Sequence, residues 1–168
     1  MVRVFAGVAA LADAVGQDLG HGAWHAIDQA AISRFAEATG DRQWIHVDTE
    51  RAARGPFGQT VAHGYYLLAA MPVLLAEIFR VDGTGAVINT GVDRLRFHRP
   101  VPVDTRMRAA ARLADVRVTR RGVAELSVEV TIEVEGTAEP ACTAVVHSMV
   151  RPPGTAPTAQ PVVVAGSR

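Results

Sequence analysis

The stretch ELSVEVTIEVE, residues 125–135, constrains the fold of this 168-residue chain more than any other part of the sequence. Apolar and polar residues alternate along it without an exception. Successive side chains of a strand point to opposite faces, so this pattern predicts a strand with one buried and one solvated face. The buried face is formed by Leu126, Val128, Val130, Ile132 and Val134.

Three more segments read as long strands, and they all lie in the C-terminal half, at residues 87–101, 106–119 and 141–150. The alternation in 106–119 changes phase between Leu113 and Val116, which predicts a β-bulge near Ala114-Asp115. Arg121-Gly122 predicts a hairpin turn between this strand and the next. We therefore expect four long antiparallel strands.

The N-terminal half is predicted to be mostly helical. A short helix is expected over residues 11–16 and a short strand over 24–28. Asp28 is suited to cap a helix over residues 29–39, which Gly40 ends. Residues 41–60 carry turn signals such as Gly55-Pro56 and are expected to be irregular.

Residues 61–80 predict a long helix that is apolar on nearly every side and is therefore wrapped by other structure. The uncharged part, residues 61–76, is shorter than the roughly 20 residues that a membrane span needs. A buried core helix is favoured. The order of elements predicts an α+β fold, a twisted antiparallel sheet wrapped around one long helix. A ferredoxin-like sandwich fits less well, because its two helices would be split between strands.

Such a sheet has open edges, and pairing two sheets edge to edge would cover them, so we expect a homodimer. Residues 1–152 are predicted to form one domain and the Pro-, Ala-, Gly- and Thr-rich residues 153–168 a flexible tail.

Composition excludes some classes of protein. Basic and acidic residues number 17 each, which argues against a nucleic-acid binder held by phosphate contacts. The only cysteine, Cys142, excludes an intrachain disulfide. The apolar N-terminus is interrupted by Asp13, so we expect an amphipathic helix rather than an export signal, and a cytoplasmic location.

Asp41 and His46 are candidates for an acid–base pair on one irregular loop. An imidazole titrates near neutral pH and can take or return a proton, while a carboxylate can hold the same water. Gly64 follows in the first turn of the apolar helix, where free N–H groups favour a developing negative charge. Together these groups suit water addition to a double bond conjugated to a thioester carbonyl.

Each residue also has a plainer interpretation. Asp41 can be a turn residue or a cap, His46 a structural histidine and Gly64 a packing device. Asp41, His46, Asp48 and His63 can also be read as metal ligands, but their spacing matches no metal-ligand signature.

The stretch FAEATGDRQWIHVDTERAARGPFGQTVAHG, residues 35–64, resembles the signature of MaoC-like (R)-specific enoyl-CoA hydratases, which are hot-dog proteins. GVDRLRFHRPVPVDTRMR, residues 91–108, is similar to a later strand of that family. The resemblance implies a hot-dog fold, with Asp41 and His46 as the catalytic pair and Gly64 N–H as the oxyanion donor. It implies hydration of trans-2-enoyl thioesters to (R)-3-hydroxyacyl thioesters, or the reverse reaction.

The family commonly has Asn-Pro where this chain has Gln43-Trp44, a version that resembles nodulation-protein-N-like members and affects the shape of the substrate entrance. Asp93 adds a charge with no assigned role. The resemblance implies no metal or redox cofactor, and coenzyme A or an acyl carrier as the carrier of the substrate. Candidate substrate-binding residues are Gln43, Trp44, His63, Tyr65 and Arg96; Arg94 and Arg99 are further phosphate candidates, and Tyr66 and Met71 further candidates for the acyl tunnel.

Two other functions remain open at this point. A hot-dog thioesterase would use a carboxylate to hydrolyse a saturated acyl thioester. A non-catalytic protein with the same fold would bind an acyl thioester without turnover.

Overall fold

The computed structural model describes residues 1–120 and 122–151. Over these residues the N-terminal half contains the helices and four short strands, and the C-terminal half contains four long strands. The elements are β1 Arg3–Phe5, α1 Val8–Ala12, β2 Asp18–His21, β3 His25–Ile27, α2 Gln29–Thr39, α3 Trp44–Val47, α4 Thr49–Ala53, α5 Gly64–Ala76, β4 Phe79–Val81, β5 Ala86–Phe97, β6 Thr105–Val118, β7 Ala124–Val134 and β8 Cys142–Arg151.

Six of the strands form one antiparallel sheet in the order β2-β6-β7-β8-β5, and β3 also pairs with β6. The apolar residues of β7 are all buried, as the alternation predicts. The register between β6 and β7 shifts between Leu113 and Asp115, which confirms the predicted bulge. Arg121 of the predicted hairpin turn lies outside the described residues, and Gly122 beside it has a positive φ of 73°.

Helix α5 packs against one face of this sheet. Its buried residues Leu67, Met71 and Leu74 follow helical spacing and join the buried residues of β6, β7 and β8 in one core cluster. The expected arrangement of a sheet around one apolar helix is therefore confirmed.

The helix is shorter than the predicted range of residues 61–80. Val61 instead forms a bridge with Pro102, and Ala62 N–H donates to the Val101 carbonyl at 2.8 Å. At the other end, β4 pairs in parallel with β1. Both ends of the apolar run are thus taken by β pairing, which the hydropathy of the sequence does not reveal.

The expectation that α5 is covered on nearly every side is wrong for the single chain. Tyr65 and Val73 are 67% and 66% exposed. Strand β5 is exposed along nearly its whole length and lies at the edge of the sheet. Its exposed apolar residues are Val87, Ile88, Val92 and Phe97.

The N-terminal half follows the sequence in part. Asp28 caps α2 by accepting the Ala31 N–H at 2.7 Å, and Gly40 ends the helix with φ 80°, a conformation that favours glycine. The first helix begins earlier than predicted, at Val8. Strands β1, β2 and β4, of three or four residues each, were not predicted.

Residues 41–60 are less irregular than predicted, because they contain α3 and α4. Asp48 ends α3 and caps α4, accepting the Arg51 N–H at 2.9 Å. The predicted flexible tail, residues 153–168, lies outside the described residues. None of the helices that the structure describes is long and apolar enough to cross a membrane.

Candidate active site

The fold brings Asp41 and His46 together at the beginning of α5. Asp41 follows the end of α2, His46 lies in α3, and His63 immediately precedes α5. One carboxylate oxygen of Asp41 and one ring nitrogen each of His46 and His63 lie within 4.8 Å of one another. A carboxylate and two imidazoles therefore share one small volume next to Gly64.

His46 is held in one orientation and one tautomer. Its Nδ1–H donates to the Val61 carbonyl at 2.6 Å, and only 7% of the residue is exposed. A carbonyl oxygen accepts and does not donate, so the proton of the neutral ring is on Nδ1 and Nε2 carries the lone pair. Burial lowers the pKa of His46 below its ordinary 6.5, and the nearby His63 lowers this pKa further, against opposing effects of the Val61 bond and Asp41.

Asp41 is exposed, and its carboxylate has only a weak local contact. It accepts the Gln43 N–H at 3.4 Å, while the Asp41 N–H reaches Thr39 Oγ1 at 3.4 Å. These contacts fit the plainer interpretation of a turn residue. They also leave carboxylate lone pairs open to a ligand or a water.

Gly64 is the first residue of α5, so its N–H has no acceptor within the helix. The ring of Phe97, in β5, covers its α-carbon. A Cβ at this position would lie 3.0 Å from that ring. The glycine thus allows the ring to pack closely against a helix N-terminus, where a negative charge is favoured.

His63 contacts both members of the pair. Its Nε2–H donates to the backbone carbonyl of Asp41 at 2.9 Å, and its ring stacks on that of His46 with centroids 3.7 Å apart. Only 2% of His63 is exposed. Its Nδ1 is buried and has no hydrogen-bond partner among the described residues.

Three residues that hold His46 carried no recognisable sequence signal. The side chain of Gln29 donates to the His46 carbonyl at 2.8 Å and accepts the Thr60 hydroxyl at 2.5 Å. Val61, next to Thr60, accepts the His46 ring proton. A glutamine in the first turn of a helix is ordinary, so only the tertiary structure reveals this network.

The ring of Trp44, the first residue of α3, packs against α4 and the turn that follows it. Its ring lies 2.9 Å from the position that a Cβ on Gly55 would take, and the Arg51 guanidinium stacks over it at 4.5 Å. Gly55 therefore accommodates the large residue that replaces the family's usual proline.

The other candidate substrate-binding residues lie outside the cluster of Asp41, His46 and His63. Gln43 is exposed, and Tyr65 packs edge-on against Phe97 with ring centroids 5.9 Å apart. Arg96 is exposed, and its guanidinium donates to the adjacent Leu95 carbonyl at 3.1 Å. Met71 is fully buried in the core, and Tyr66 is half-buried against Phe35.

A metal ion is a second chemical use for this cluster, since a carboxylate and two imidazoles are common ligands. The hydrogen bond of His63 Nε2 to the Asp41 carbonyl leaves Nδ1 as the only nitrogen of that ring with a lone pair for a metal. The spacing of these residues in the sequence matches no metal-ligand signature.

Asp93, whose charge had no role in the sequence, lies on the outer face of the sheet. It accepts from His147 Nε2 at 2.9 Å, and Ser127 Oγ lies 3.0 Å from Nδ1 of the same ring. All three residues lie in paired strands of the sheet, Asp93 next to a register shift of β5. We interpret these hydrogen bonds as contacts that join neighbouring strands.

Comparison with known proteins agrees with the geometry. The profile of the family described as MaoC like domain matches residues 10–136. The 3-hydroxyacyl-thioester dehydratase Z of Mycobacterium tuberculosis is 47% identical over 150 residues, covering 89% of this chain and 98% of that protein. Nodulation protein N of Rhizobium meliloti is 43% identical over 134 residues, covering 77% and 82%.

A solved structure with the same fold is the (R)-hydratase from A. caviae involved in PHA biosynthesis. It superposes with a TM-score of 0.63 at 25% identity, covering 83% of this chain and 96% of that one. The hot-dog fold implied by the sequence resemblance is therefore confirmed.

The contact between Trp44 and Gly55 leads to a stability prediction. Gly55→Ala should destabilise the protein by about 1–3 kcal/mol, because the new methyl group overlaps the indole ring. Gly91→Ala is the matched control, since a Cβ there meets only His147 at 3.9 Å. Urea unfolding of both variants measures the difference.

A double-variant cycle tests the cause. In a Trp44→Leu background, Gly55→Ala should lower the free energy of unfolding by clearly less than in the wild type. The difference between the two effects is the coupling energy between the two sites. An equal cost in both backgrounds would contradict the assignment of the overlap to Trp44.

Proposed function

The chain belongs to the MaoC-like family of dehydratases and hydratases, and we propose that it is an (R)-specific enoyl-thioester hydratase and dehydratase. It adds water reversibly to trans-2-enoyl thioesters and gives (R)-3-hydroxyacyl thioesters. The observation that carries the proposal is the meeting of Asp41 and an oriented His46 beside the first turn of α5. The similar mycobacterial protein is named for 3-hydroxyacyl thioesters, which are the products of this hydration.

His46 is the group that takes a proton from water. Its Nε2 lone pair is free because Nδ1–H is bonded to Val61. The lowered pKa keeps the ring neutral at neutral pH, so it can act as a base. In the dehydration direction the same nitrogen returns its proton to the leaving hydroxyl.

Asp41 orients the same water. Its carboxylate lies within 4.8 Å of one nitrogen of the His46 ring, and one water making two hydrogen bonds of about 2.8 Å can bridge such a separation. The water oxygen attacks C3 of the enoyl group, its proton moves to His46, and the pair then protonates C2. Both additions come from one side, which makes the addition syn.

Gly64 N–H binds the thioester oxygen. Electrons displaced from the double bond collect on this oxygen as an enolate-like anion. A free N–H at a helix N-terminus stabilises that charge, and one such donor is worth about 2.7–4 kcal/mol. The absence of a side chain allows the carbonyl to approach closely.

The proposed reaction uses no metal or redox cofactor, because each step is a proton transfer or an addition. The acyl group is carried by coenzyme A or an acyl carrier protein. Arg96 is exposed, and among the described residues its guanidinium donates only to the adjacent Leu95 carbonyl, so its charge is available for a phosphate of the carrier. The cytoplasmic location stays a prediction.

An apolar cavity of about 360 Å³ is suited to the acyl chain. It lies between the C-terminal half of α5 and the sheet, and Leu75, Ala76, Val128 and Val150 are among its lining residues. Gly64 and Pro72, which also lines it, are eight residues apart, or about 12 Å along the helix axis. An acyl chain extending along α5 would enter it.

The active form is proposed to be a homodimer. Among the described strands β5 has one edge without a partner, and α5 has an exposed apolar face that includes Tyr65 and Val73. An exposed edge strand and an exposed apolar face are both covered when two copies associate. Because β5 also carries Phe97 and Arg96, the interface and the site would be contiguous.

The pair is tested by turnover of crotonyl-CoA. The wild type should consume the enoyl thioester, followed by its ultraviolet absorbance. Asp41→Asn and His46→Gln should each lose about 10²–10⁴-fold in rate because a proton-transfer group is lost. His98→Gln is the control, since this exposed histidine contacts Thr143 and not the pair.

Dialysis against a chelator should leave the wild-type rate unchanged. No turnover of crotonyl-CoA or longer enoyl-CoAs by the wild type would contradict the proposed hydration. Release of free thiol from saturated acyl-CoAs would instead support a thioesterase.

The acyl cavity is tested by filling it. Leu75→Trp should lower kcat/KM for long enoyl thioesters by about 10-fold or more relative to crotonyl-CoA, because the indole occupies the space of the chain end. Leu75→Met keeps the volume and is the control. A uniform loss for short and long chains would place the acyl group elsewhere.

A further inference from the structure

His63 contacts all three groups to which the proposed function assigns chemistry. It donates a hydrogen bond to Asp41, stacks on His46 and is joined to Gly64 by a peptide bond. We propose that His63 is a positioning residue that works as a neutral imidazole with its proton on Nε2, rather than a substrate ligand. This proposal rests on the proposed function of the same site.

The hydrogen bond fixes the backbone of Asp41. The Asp41 carboxylate is exposed and has only a weak local contact, at 3.4 Å, so its own bonds do not hold it firmly. The bond from His63 Nε2 to the Asp41 carbonyl, at 2.9 Å, spans 22 residues of sequence and is largely shielded from solvent. It therefore ties the loop that carries the carboxylate to the start of α5.

The stacking fixes the plane of His46. The two rings lie 3.7 Å apart with an angle of 24° between them. Phe35 in turn packs against His63, with the two ring centroids 5.1 Å apart. The His46 ring, already bonded at Nδ1, then has no freedom to turn Nε2 away from the water.

The surroundings of His63 suit a neutral ring. With the proton on Nε2, a second proton would have to sit on Nδ1, which is buried and has no partner among the described residues. A buried donor without an acceptor is destabilising, because its lost hydrogen bonds to water are not replaced. His63 also caps the N-terminus of α5, where a positive charge is unfavourable.

A neutral His63 keeps a second aromatic ring against His46 without adding a competing proton donor at the water. A charged His63 would lower the pKa of His46, whereas Asp41 raises it. Because a neutral His63 carries no charge, its replacement by an uncharged residue should leave the pKa of His46 nearly unchanged.

The tautomer is tested first, on the wild-type protein, by NMR of the histidine ring nitrogens at neutral pH. His63 should carry its proton on Nε2 and His46 on Nδ1. A charged His63, or a His63 with its proton on Nδ1, would overturn the proposal. This measurement needs no turnover, so it separates failure of this proposal from failure of the proposed function.

Two variants then separate the contacts. His63→Phe keeps a stacked ring and removes the donor to Asp41; His63→Gln offers an amide donor and removes the ring. Each should lower kcat for crotonyl-CoA by about 10²-fold, the usual cost of a misplaced catalytic group, with little change in KM. NMR titration should find the pKa of His46 nearly unchanged in both, because neither the neutral His63 ring nor its replacement carries a charge. His98→Gln is again the control.

A substrate ligand would behave differently. If both variants raise KM and keep kcat, His63 contacts the substrate and the proposal is overturned. If kcat is unchanged in both variants, His63 has no positioning role and the proposal is also overturned. A clear rise in the pKa of His46 in both variants would show that His63 carries a charge, which would overturn the neutral ring. Should one variant fail to fold, the other variant and the wild-type tautomer still decide.

Discussion

The hydrogen bond from His46 Nδ1 to the Val61 carbonyl is the interaction on which the rest of the site depends. The Val61 N–H in turn donates to the Ile45 carbonyl at 3.0 Å, so α3 and the segment before α5 are paired in both directions. This pairing chooses the tautomer of His46 and sets its distance from Gly64. Without it, the His46 imidazole and the N-terminus of α5 would not be held next to each other.

The paired segment is itself held by the sheet. Ala62 N–H donates to the Val101 carbonyl, and Val103 N–H donates to the Thr60 carbonyl at 2.9 Å, so residues 60–62 lie against the connection between β5 and β6. The same connection follows Phe97, whose ring covers Gly64. The site is therefore built where three segments distant in sequence meet, and each is anchored by main-chain bonds, which depend little on side-chain identity.

The sequence predicted the parts of this structure whose signals are local. The alternation of β7, the phase change in β6 and the cap at Asp28 each depend on neighbouring residues, and each is confirmed. The extent of α5 was predicted wrongly because hydropathy cannot tell an apolar helix from apolar residues that continue into β pairing, as at Val61. The network from Gln29 to His46 was missed because its residue types are ordinary and their contact is tertiary. Asp41, His46 and Gly64 were predicted from a motif, whereas the tautomer of His46 and the stacking of His63 depend on tertiary contacts that no motif encodes.

The central claim is that Asp41 and His46 hold one water beside a thioester whose oxygen lies on Gly64 N–H. A crystal structure of the wild-type protein with butyryl-CoA, which has no double bond to hydrate, tests it most directly. The predicted result is a thioester oxygen within hydrogen-bond distance of Gly64 N, and one water bonded to both the Asp41 carboxylate and His46 Nε2 near C3 of the acyl chain. A thioester bound with C3 away from this pair, or His46 Nε2 bonded to a protein group instead of the water, would contradict the claim.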